Sequence, residues 1–409
     1  MNFEDPIGII ELGNLNIKCL IFKINNDNAE ILSTSITPSE GFHNDVVVNL
    51  VKASAAIRTC ISIAEKKAKI SLRKINVVFE QPDFLCTKFS KYKKIDRSKI
   101  HKDDIEFLLK EAKKQLILND KMQSIIHIFN HNYIVDGKTF VEEPIDVYAD
   151  SLTHEIIFIT IPKNNLKNIN QVFANCDIEI ERLISRTFSL GSKLLNYEEL
   201  EFGSGIIDLG FEKISFGLFK NLALVHSITL PIGINHIIKD ISKVCFLNIE
   251  ESERIKNDFD FSFQNNKQLF DEKNFLKNNY FTNSNFRKIS ENLILNVIRA
   301  RLDEIFDLIK KQLIISGFNL NSGANLLLVG GGSNLLNIEK YFINSFRLNV
   351  KTIDKKITEK EINLKKNFAS CLGALKIIKN GWETEAIAEI AGENTKKTSF
   401  FTKIFRINK

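Results

Sequence analysis

The chain has 409 residues, 44% apolar and 26% charged, with a net charge of +6. That length favours two domains over one core, and the composition is that of a soluble globular protein. So modest a charge, with no concentrated basic stripe, excludes nucleic acid as the expected partner. Six cysteines stand singly, at 19, 60, 86, 176, 245 and 371, with no C-x-x-C and no His cluster beside them. They argue against a zinc site and a disulfide framework and fit a reducing cytosol. The opening "MNFEDPIGII" lacks the pattern of a signal peptide, and no run of about 18 apolar residues occurs.

Residues 7–37 read as a strand meander, "IGIIELG", "IKCLIFKI" and "AEILSTSIT", broken by polar turns such as "NNDNA". Helical spacing follows in "NDVVVNLVKASAAIRTCISIAEKKAKI", then a short strand, "INVVFEQ". From Cys86 the texture changes. "DRSKIHKDDIEFLLKEAKKQLI" predicts a helix with Lys102, Asp103 and Asp104 at its entry. "SIIHIFNHNYIVDGK" and "THEIIFITIP" predict strands, with Asp136-Gly137 as a turn. This αβ module precedes the helical "LISRTFSLGSKLLNYEEL" and reads as an insertion.

"GIIELGNLNIKCLIFK" at 8–23 returns as "GIIDLGFEKISFGLFK" at 205–220, with Glu11 facing Asp208. The second copy continues through "LALVHSITLPIG" and a helix, "NHIIKDISKVCF". Residues 247–290 are polar, rich in Asn and Phe, and read as an excursion with a small subdomain. "LILNVIRARLDEIFDLIKKQLIISG" predicts a long amphipathic helix ending at Gly317, and "NLLLVGGGSNLLNIEKYF" a buried strand, a glycine turn and a helix.

Two equivalent β-rich domains, each opened by a strand–turn–strand with an acid and a glycine in the turn, predict an α/β protein closed around a cleft. A glycine turn lets backbone N–H groups approach phosphate oxygens, and an acid can hold a metal-bound water. A third turn, at Gly330, Gly331, Gly332 and Ser333, offers a further contact to a nucleotide. A glycine after a strand is on its own an ordinary turn, so the matched spacing of the copies carries this reading.

The order of motifs resembles the actin-like ATPase superfamily and, in detail, the FtsA family of bacterial cell-division proteins. "LPIGINHIIKDI" (230–241) is similar to the family's Pro-x-Gly-Gly-Asn-His-x-x-x-Asp-Ile segment, with Gly233 kept and Ile234 in place of the second glycine. "ESERIKNDF" (251–259) resembles its Ala-Glu-x-x-Lys helix at Glu253 and Lys256. "NHNYIVDGK" resembles its inserted-subdomain strand and "NFASCLGALKI" its closing helix. The resemblance implies an actin-like (ribonuclease H-like) two-domain fold with an inserted αβ subdomain. Domain 1 would comprise 1–85 and closing helices at 165–203, around an insert at 86–164. Domain 2 would span 204–385, with a small subdomain at about 246–316, followed by a linker at 386–397 and a tail at 398–409.

The same resemblance implies ATP with Mg in the cleft, self-association into filaments, and contact with later division proteins. It also implies binding of the FtsZ carboxyl-terminal peptide and a peripheral place on the cytoplasmic side of the inner membrane at the septum. Nucleotide-binding positions would be Glu11, Gly13, Asn14 and Lys18; Asp208 and Gly210; Gly233, Glu253 and Lys256; and Gly330 to Ser333. Arg287, Lys288, Arg299 and Arg301 are candidates, by position only, for the acidic and apolar FtsZ tail.

Departures fall on the phosphate turns. The family's Asp-x-Gly-Thr-Ser-Lys stands here as Glu11-Leu12-Gly13-Asn14-Leu15-Asn16, without hydroxyls or lysine; Lys18, two residues on and on the same strand face, is the remaining cation. The family's Asp-x-Gly-Gly-Gly-Thr-Thr-Asp stands as Asp208-Leu209-Gly210-Phe211-Glu212-Lys213-Ile214-Ser215. Phe211 and Glu212 obstruct the backbone approach, and a carboxylate repels phosphate unless a metal or Lys213 offsets it. Weakened or lost ATP affinity is expected, with slow or absent hydrolysis; a loop that bulges outward without consequence is the other reading. Glu253 and Lys256, one turn apart, suit a solvated surface pair as well as a ribose contact. His226 and His236 receive no chemistry.

In the tail, "SFFTKIFRINK", helical spacing gathers Phe400, Phe401, Ile404, Phe405 and Ile407 on one arc, and Thr402, Lys403, Arg406 and Lys409 on the other. So short a helix folds only against something apolar. An anionic membrane surface is the expected partner, through Phe400, Phe401, Lys403, Ile404, Phe405 and Arg406; packing back onto its own domain is the alternative. The leading functional reading is a polymerising scaffold that anchors the FtsZ ring to the membrane. The alternatives are a pilus-assembly adaptor like PilM and an active actin-like ATPase.

Overall fold

The structure, a computed structural model, describes residues 5–25, 28–258, 274–317, 325–335, 337–346, 349–352 and 367–380. The linker and tail expected at 386–409, with Phe400, Phe401, Lys403, Ile404, Phe405 and Arg406, lie outside the described residues. Two compact units emerge. Among the described residues, the first holds those within 5–203, 217–227 and 367–380, and the second those within 204–216 and 228–352.

The first unit opens as the meander predicts, with β1 (Ile7–Glu11), β2 (Asn16–Asn25) and β3 (Asn28–Pro38). A small hairpin, β4 (Phe42–His43) and β5 (Val46–Val47), leads to α1 (Leu50–Ala68). Ala53, Ile57, Cys60, Ile61 and Ala64 recur every three or four positions, so one stripe of α1 is apolar and buried. Asn49 caps its start by accepting the Lys52 N–H at 3.0 Å. β6 (Lys74–Phe79) runs parallel to β1.

The insert comprises β7 (Leu85–Lys99), α2 (Lys102–Asn119), β8 (Gln123–Val135), β9 (Lys138–Phe140) and β10 (Tyr148–Pro162). Its sheet runs β7-β10-β8-β9, with Leu109, Ala112 and Leu116 of α2 clustered on Phe89, Ile128 and Phe158. Here the sequence reading needs correction. "DRSKI" is not helical: Asp96 and Arg97 take left-handed backbone (φ 57 and 59), and β7 runs on to Lys99. The helix starts only at Lys102, where the Asp104 carboxylate accepts the His101 N–H at 2.7 Å. β7 itself escaped notice because Lys88, Lys91, Lys93 and Lys94 interrupt its apolar positions, as suits an edge strand paired only with β10.

α3 (Lys163–Ala174) leads to β11 (Glu179–Ser185), α4 (Arg186–Leu194) and α5 (Tyr197–Phe202). "LISRTFSLG" was expected to be helical throughout, but Leu183 and Ile184 belong to β11, parallel to β6, and Ser185 caps α4 instead. This sheet runs β11-β6-β1-β2-β3.

The duplicated motif returns as β12 (Ser204–Leu209), β13 (Ile214–Lys220) and β14 (Ala223–Leu230). α6 (Ile234–Cys245), α7 (Ile249–Asp258) and α8 (Glu291–Ser316) follow, and α8 stops at Gly317 in left-handed conformation, as its sequence predicts. β15 (Asn325–Val329), α9 (Ile338–Phe346) and β16 (Asn349–Thr352) complete a sheet of order β14-β13-β12-β15-β16. α10 (Ala369–Asn380) returns to the first unit and packs on α4. A Cβ on Gly373 would lie 1.8 Å from the Ser189 carbonyl oxygen, so this helix contact requires glycine.

Candidate functional site

Both copies of the turn press their glycine onto a carbonyl three residues later. A Cβ on Gly13 would come within 2.8 Å of Asn16 O, and one on Gly210 within 2.5 Å of Lys213 O. The turns themselves therefore demand these glycines. Beyond that they diverge.

In the first turn, Glu11 ends β1 and is 1% exposed. The β1–β2 register sets Lys18 directly opposite, and its Nζ lies 3.1 Å from Glu11 Oε1. Arg186, the first residue of α4, reaches the same oxygen at 3.1 Å, while Ser370 Oγ donates to Oε2. Burial alone would push the Glu11 carboxyl up; Lys18 and Arg186 outweigh it and hold the group at about 2. Lys18 is thus ion-paired with Glu11. Asn14 donates to Asn44 Oδ1 and accepts the Asp45 N–H, each at 3.2 Å, and so braces the β4–β5 turn.

In the second unit Asp208, the last residue but one of β12, is 5% exposed and lies against Gly330. Gly330 has φ 84, and a Cβ there would lie 2.3 Å from Asp208 Oδ1. Ser333 Oγ donates to Gly330 O at 2.7 Å, closing its own turn. Gly331 is exposed, whereas Gly332 lies beneath Ile234, the residue that replaces a family glycine. The first N–H groups of α6 are also engaged: Ile234 donates to Gly210 O at 3.0 Å and Asn235 to Phe211 O at 2.8 Å. Gly233 donates to His236 Nδ1 at 3.1 Å. Asn235 Nδ2 donates to the Glu212 carboxylate at 2.6 Å, and Lys239 approaches it at 3.8 Å.

On α7, Glu253 is exposed but Lys256 is only 7% exposed, and burial lowers its pKa. A solvated pair would leave Lys256 in water. Glu251 on the same helix was missed entirely. Fully buried, it accepts from Asn283 N at 2.8 Å, Ser284 N at 2.9 Å and Ser284 Oγ at 2.6 Å. Burial opposes its charge, but these donors hold its pKa at about 2. It ties the 281–285 loop to α7, and only its place in a helix-capping pattern after Asn248 marked it in the sequence.

The four cationic candidates separate. Arg301 forms a two-pronged pair with Asp240, at 2.6 and 3.0 Å, and also meets Glu304. Arg299 is half-buried. Arg287 and Lys288 are exposed among aromatic rings: Arg287 donates to Phe246 O, and Lys288 Nζ stands 5.8 Å over the Phe275 ring. Phe246 is 76% exposed and Phe286 54%. Phe246 also caps α6 in left-handed conformation (φ 52), a strained position for an aromatic residue.

These turns do not fit a metal-bound triphosphate. The acid of the first is already neutralised by protein cations, and the helix-start donors of the second are spent on carbonyls. Among the described residues, no cluster of three or more His, Cys, Asp or Glu could hold a metal ion, and no helix is long and apolar enough to cross a membrane. Arg186 and Ser370 were absent from the sequence reading; the one available signal was an arginine within the apolar "LISRTFSLG".

Comparison with known proteins bears on both units. The family described as cell division protein FtsA matches residues 205–373, and that described as the SHS2 domain inserted in FtsA matches residues 85–160, together more than half of the chain. Among similar sequences, cell division protein FtsA of Neisseria meningitidis is 24% identical over 85% of this chain and 83% of its own. The FtsA of Bacillus subtilis is 24% identical over 81% and 74%, and that of Agrobacterium fabrum 21% over 80% and 76%. In fold the chain is similar to a PilM-PilN type IV pilus biogenesis complex, with a TM-score of 0.63 at 13% identity, covering 91% of this chain and 98% of that one. It is also similar to MreB5 of Spiroplasma citri bound to ADP, with a TM-score of 0.50 at 14% identity, over 92% and 98%. The fold is actin-like.

Proposed function

Since this chain belongs to the FtsA family of cell division proteins, we propose that it works as a division scaffold: it polymerises, links FtsZ filaments to the inner membrane, and holds ATP weakly or not at all. Its role in cell division follows from the family; the rest is our reading. One observation carries the choice of scaffold over ATPase. The groups that would hold phosphate and metal are engaged within the protein, Glu11 by Lys18 and Arg186, and the α6 N–H groups by Gly210 and Phe211.

Arg287 and Lys288, set among Phe246, Phe275 and Phe286, supply the cationic and apolar chemistry that an acidic, apolar FtsZ tail peptide requires. The tail at 398–409 supplies the membrane contact. Each apolar side chain contributes up to about 1.5–3 kcal/mol when fully buried, less at an interface, and each basic residue about 1 kcal/mol near anionic lipid. One copy then binds reversibly, and a filament of many copies gains by avidity.

A fluorescent fusion in dividing cells, with and without residues 398–409, tests the reading. The full chain is expected at the septum and the truncated one dispersed in the cytoplasm. A full-length fusion that never marks the septum would refute it. With purified protein, the truncation should abolish co-sedimentation with liposomes containing anionic lipid.

A further inference from the structure

The geometry of the first turn points to a metal-independent clamp: we infer that Lys18 and Arg186 take the place of a divalent cation at Glu11, and that the docking of α10 onto β1 needs no nucleotide-bound metal. Every part of this clamp lies in the first unit. Lys18 and Arg186 both reach Glu11 Oε1 at 3.1 Å, and Ser370, near the start of α10, donates to Oε2. Both carboxylate oxygens are therefore occupied by protein donors, and the two cations give the site a local charge of the sign that repels a metal ion.

Arg186 is held in place by its neighbours. Glu80 Oε2 accepts from Ser185 Oγ at 2.8 Å and from Thr187 N at 2.9 Å, one residue to either side of Arg186. Asp45 Oδ2 in turn accepts the Glu80 N–H at 3.1 Å, and Asn14 of the turn accepts the Asp45 N–H at 3.2 Å. From the insert, His127 Nε2 accepts the Ser185 N–H at 2.8 Å. The start of α4 is thus anchored by Glu80, the residue after β6 that Asp45 of the β4–β5 turn braces, and by the insert, and it presents Arg186 to Glu11. An arginine so positioned is a fixed counter-ion built into the fold, whereas a metal ion would have to arrive with its ligand.

The inference deepens the scaffold reading, and its test does not depend on septal localisation. Hydrogen exchange is measured on the full-length protein at residues 7–11 and 369–380, with EDTA, ATP plus EDTA, MgCl2, or MgATP. Protection of both segments is expected to be the same in all four conditions. The variants Glu11→Gln and Ser370→Ala should speed exchange at 369–380, at least tenfold and a few-fold respectively, with or without metal. Ser370→Ala, which deletes only a hydroxyl, keeps the test open if Glu11→Gln fails to fold. Protection of 369–380 that rises with magnesium in the wild type and loses that response in Ser370→Ala would overturn the inference.

Discussion

The two glycine turns start from nearly the same sequence and reach different solutions. Both set a glycine against a carbonyl three residues later, at Asn16 and at Lys213. The first is then closed by charge, with Glu11 between Lys18 and Arg186; the second is closed by packing and backbone bonds, with Asp208 against Gly330 and the start of α6 on Gly210 and Phe211. The difference teaches that a duplicated motif preserves the backbone requirement while the surrounding side chains decide what the turn can bind.

Substitution at Gly330 gives the largest expected contrast. Gly330→Ala adds a Cβ where φ is 84 and Asp208 Oδ1 lies 2.3 Å away. A loss of roughly 3 kcal/mol in unfolding free energy is expected, insensitive to salt, because the conflict is steric. If Gly330→Ala is as stable as the wild type, packing does not close the second turn.

At the first turn, Glu11→Gln leaves two partly buried cations without their counter-ion and should cost about 3 kcal/mol. Its acid signature is equally specific. Glu11 is held at about 2, below its ordinary 4.5, so the stability it contributes is present above pH 4.5 and lost as pH falls toward 2. The variant should lack that limb in chemical denaturation series across acid pH. An unchanged limb would assign it to other carboxylates.

Histidines of the insert sharpen the comparison at milder pH. His127 and His154 are buried, and burial lowers both to about 3 from 6.5. The unfolded chain therefore takes up protons first, and stability is full above pH 6.5 and declines as pH falls toward 3. The slope is about 1.4 kcal/mol per pH unit for each histidine. His154 stacks on Tyr133 at 4.4 Å, and neither ring nitrogen has a hydrogen-bond partner among the described residues. His131, lowered to about 4 by burial, adds a third contribution of the same sign, so His154→Phe should keep the fold and cut the histidine slope by about a third in thermal melts between pH 6.5 and 5. A steeper slope would show that the histidine is stabilised in acid.

The smallest effect concerns the aromatic patch. Phe246→Gly relieves a left-handed φ of 52 and should raise stability by about 1 kcal/mol, while weakening the proposed capture of an FtsZ tail peptide. Calorimetry and peptide titration read the two together. A gain in both would remove Phe246 from the proposed partner surface.

Legibility followed the range of the interactions. The meander, α1, the end of α8 at Gly317 and the strand–glycine–helix of β15 were readable because alternation, helical stripes and terminal glycines are local signals. β7 and the β11–α4 boundary were not, since edge lysines and a Ser-Arg junction mask strand periodicity. Lys18 was placed on the correct strand, but its pairing with Glu11 was not legible, because a cross-strand register is invisible in one strand's pattern.

What the sequence by itself determined is the duplicated architecture, the αβ insertion and the positions of three glycine turns, each written in spacing over a few residues. Tertiary structure alone decided what those turns hold. Arg186 and Ser370 reach Glu11 from remote stretches of chain, and Asn235 and Lys239 claim Glu212 from a neighbouring helix. A carboxylate's partners are set by distance in space, and burial makes each such partner decisive; neither quantity is encoded in the order of residues around it.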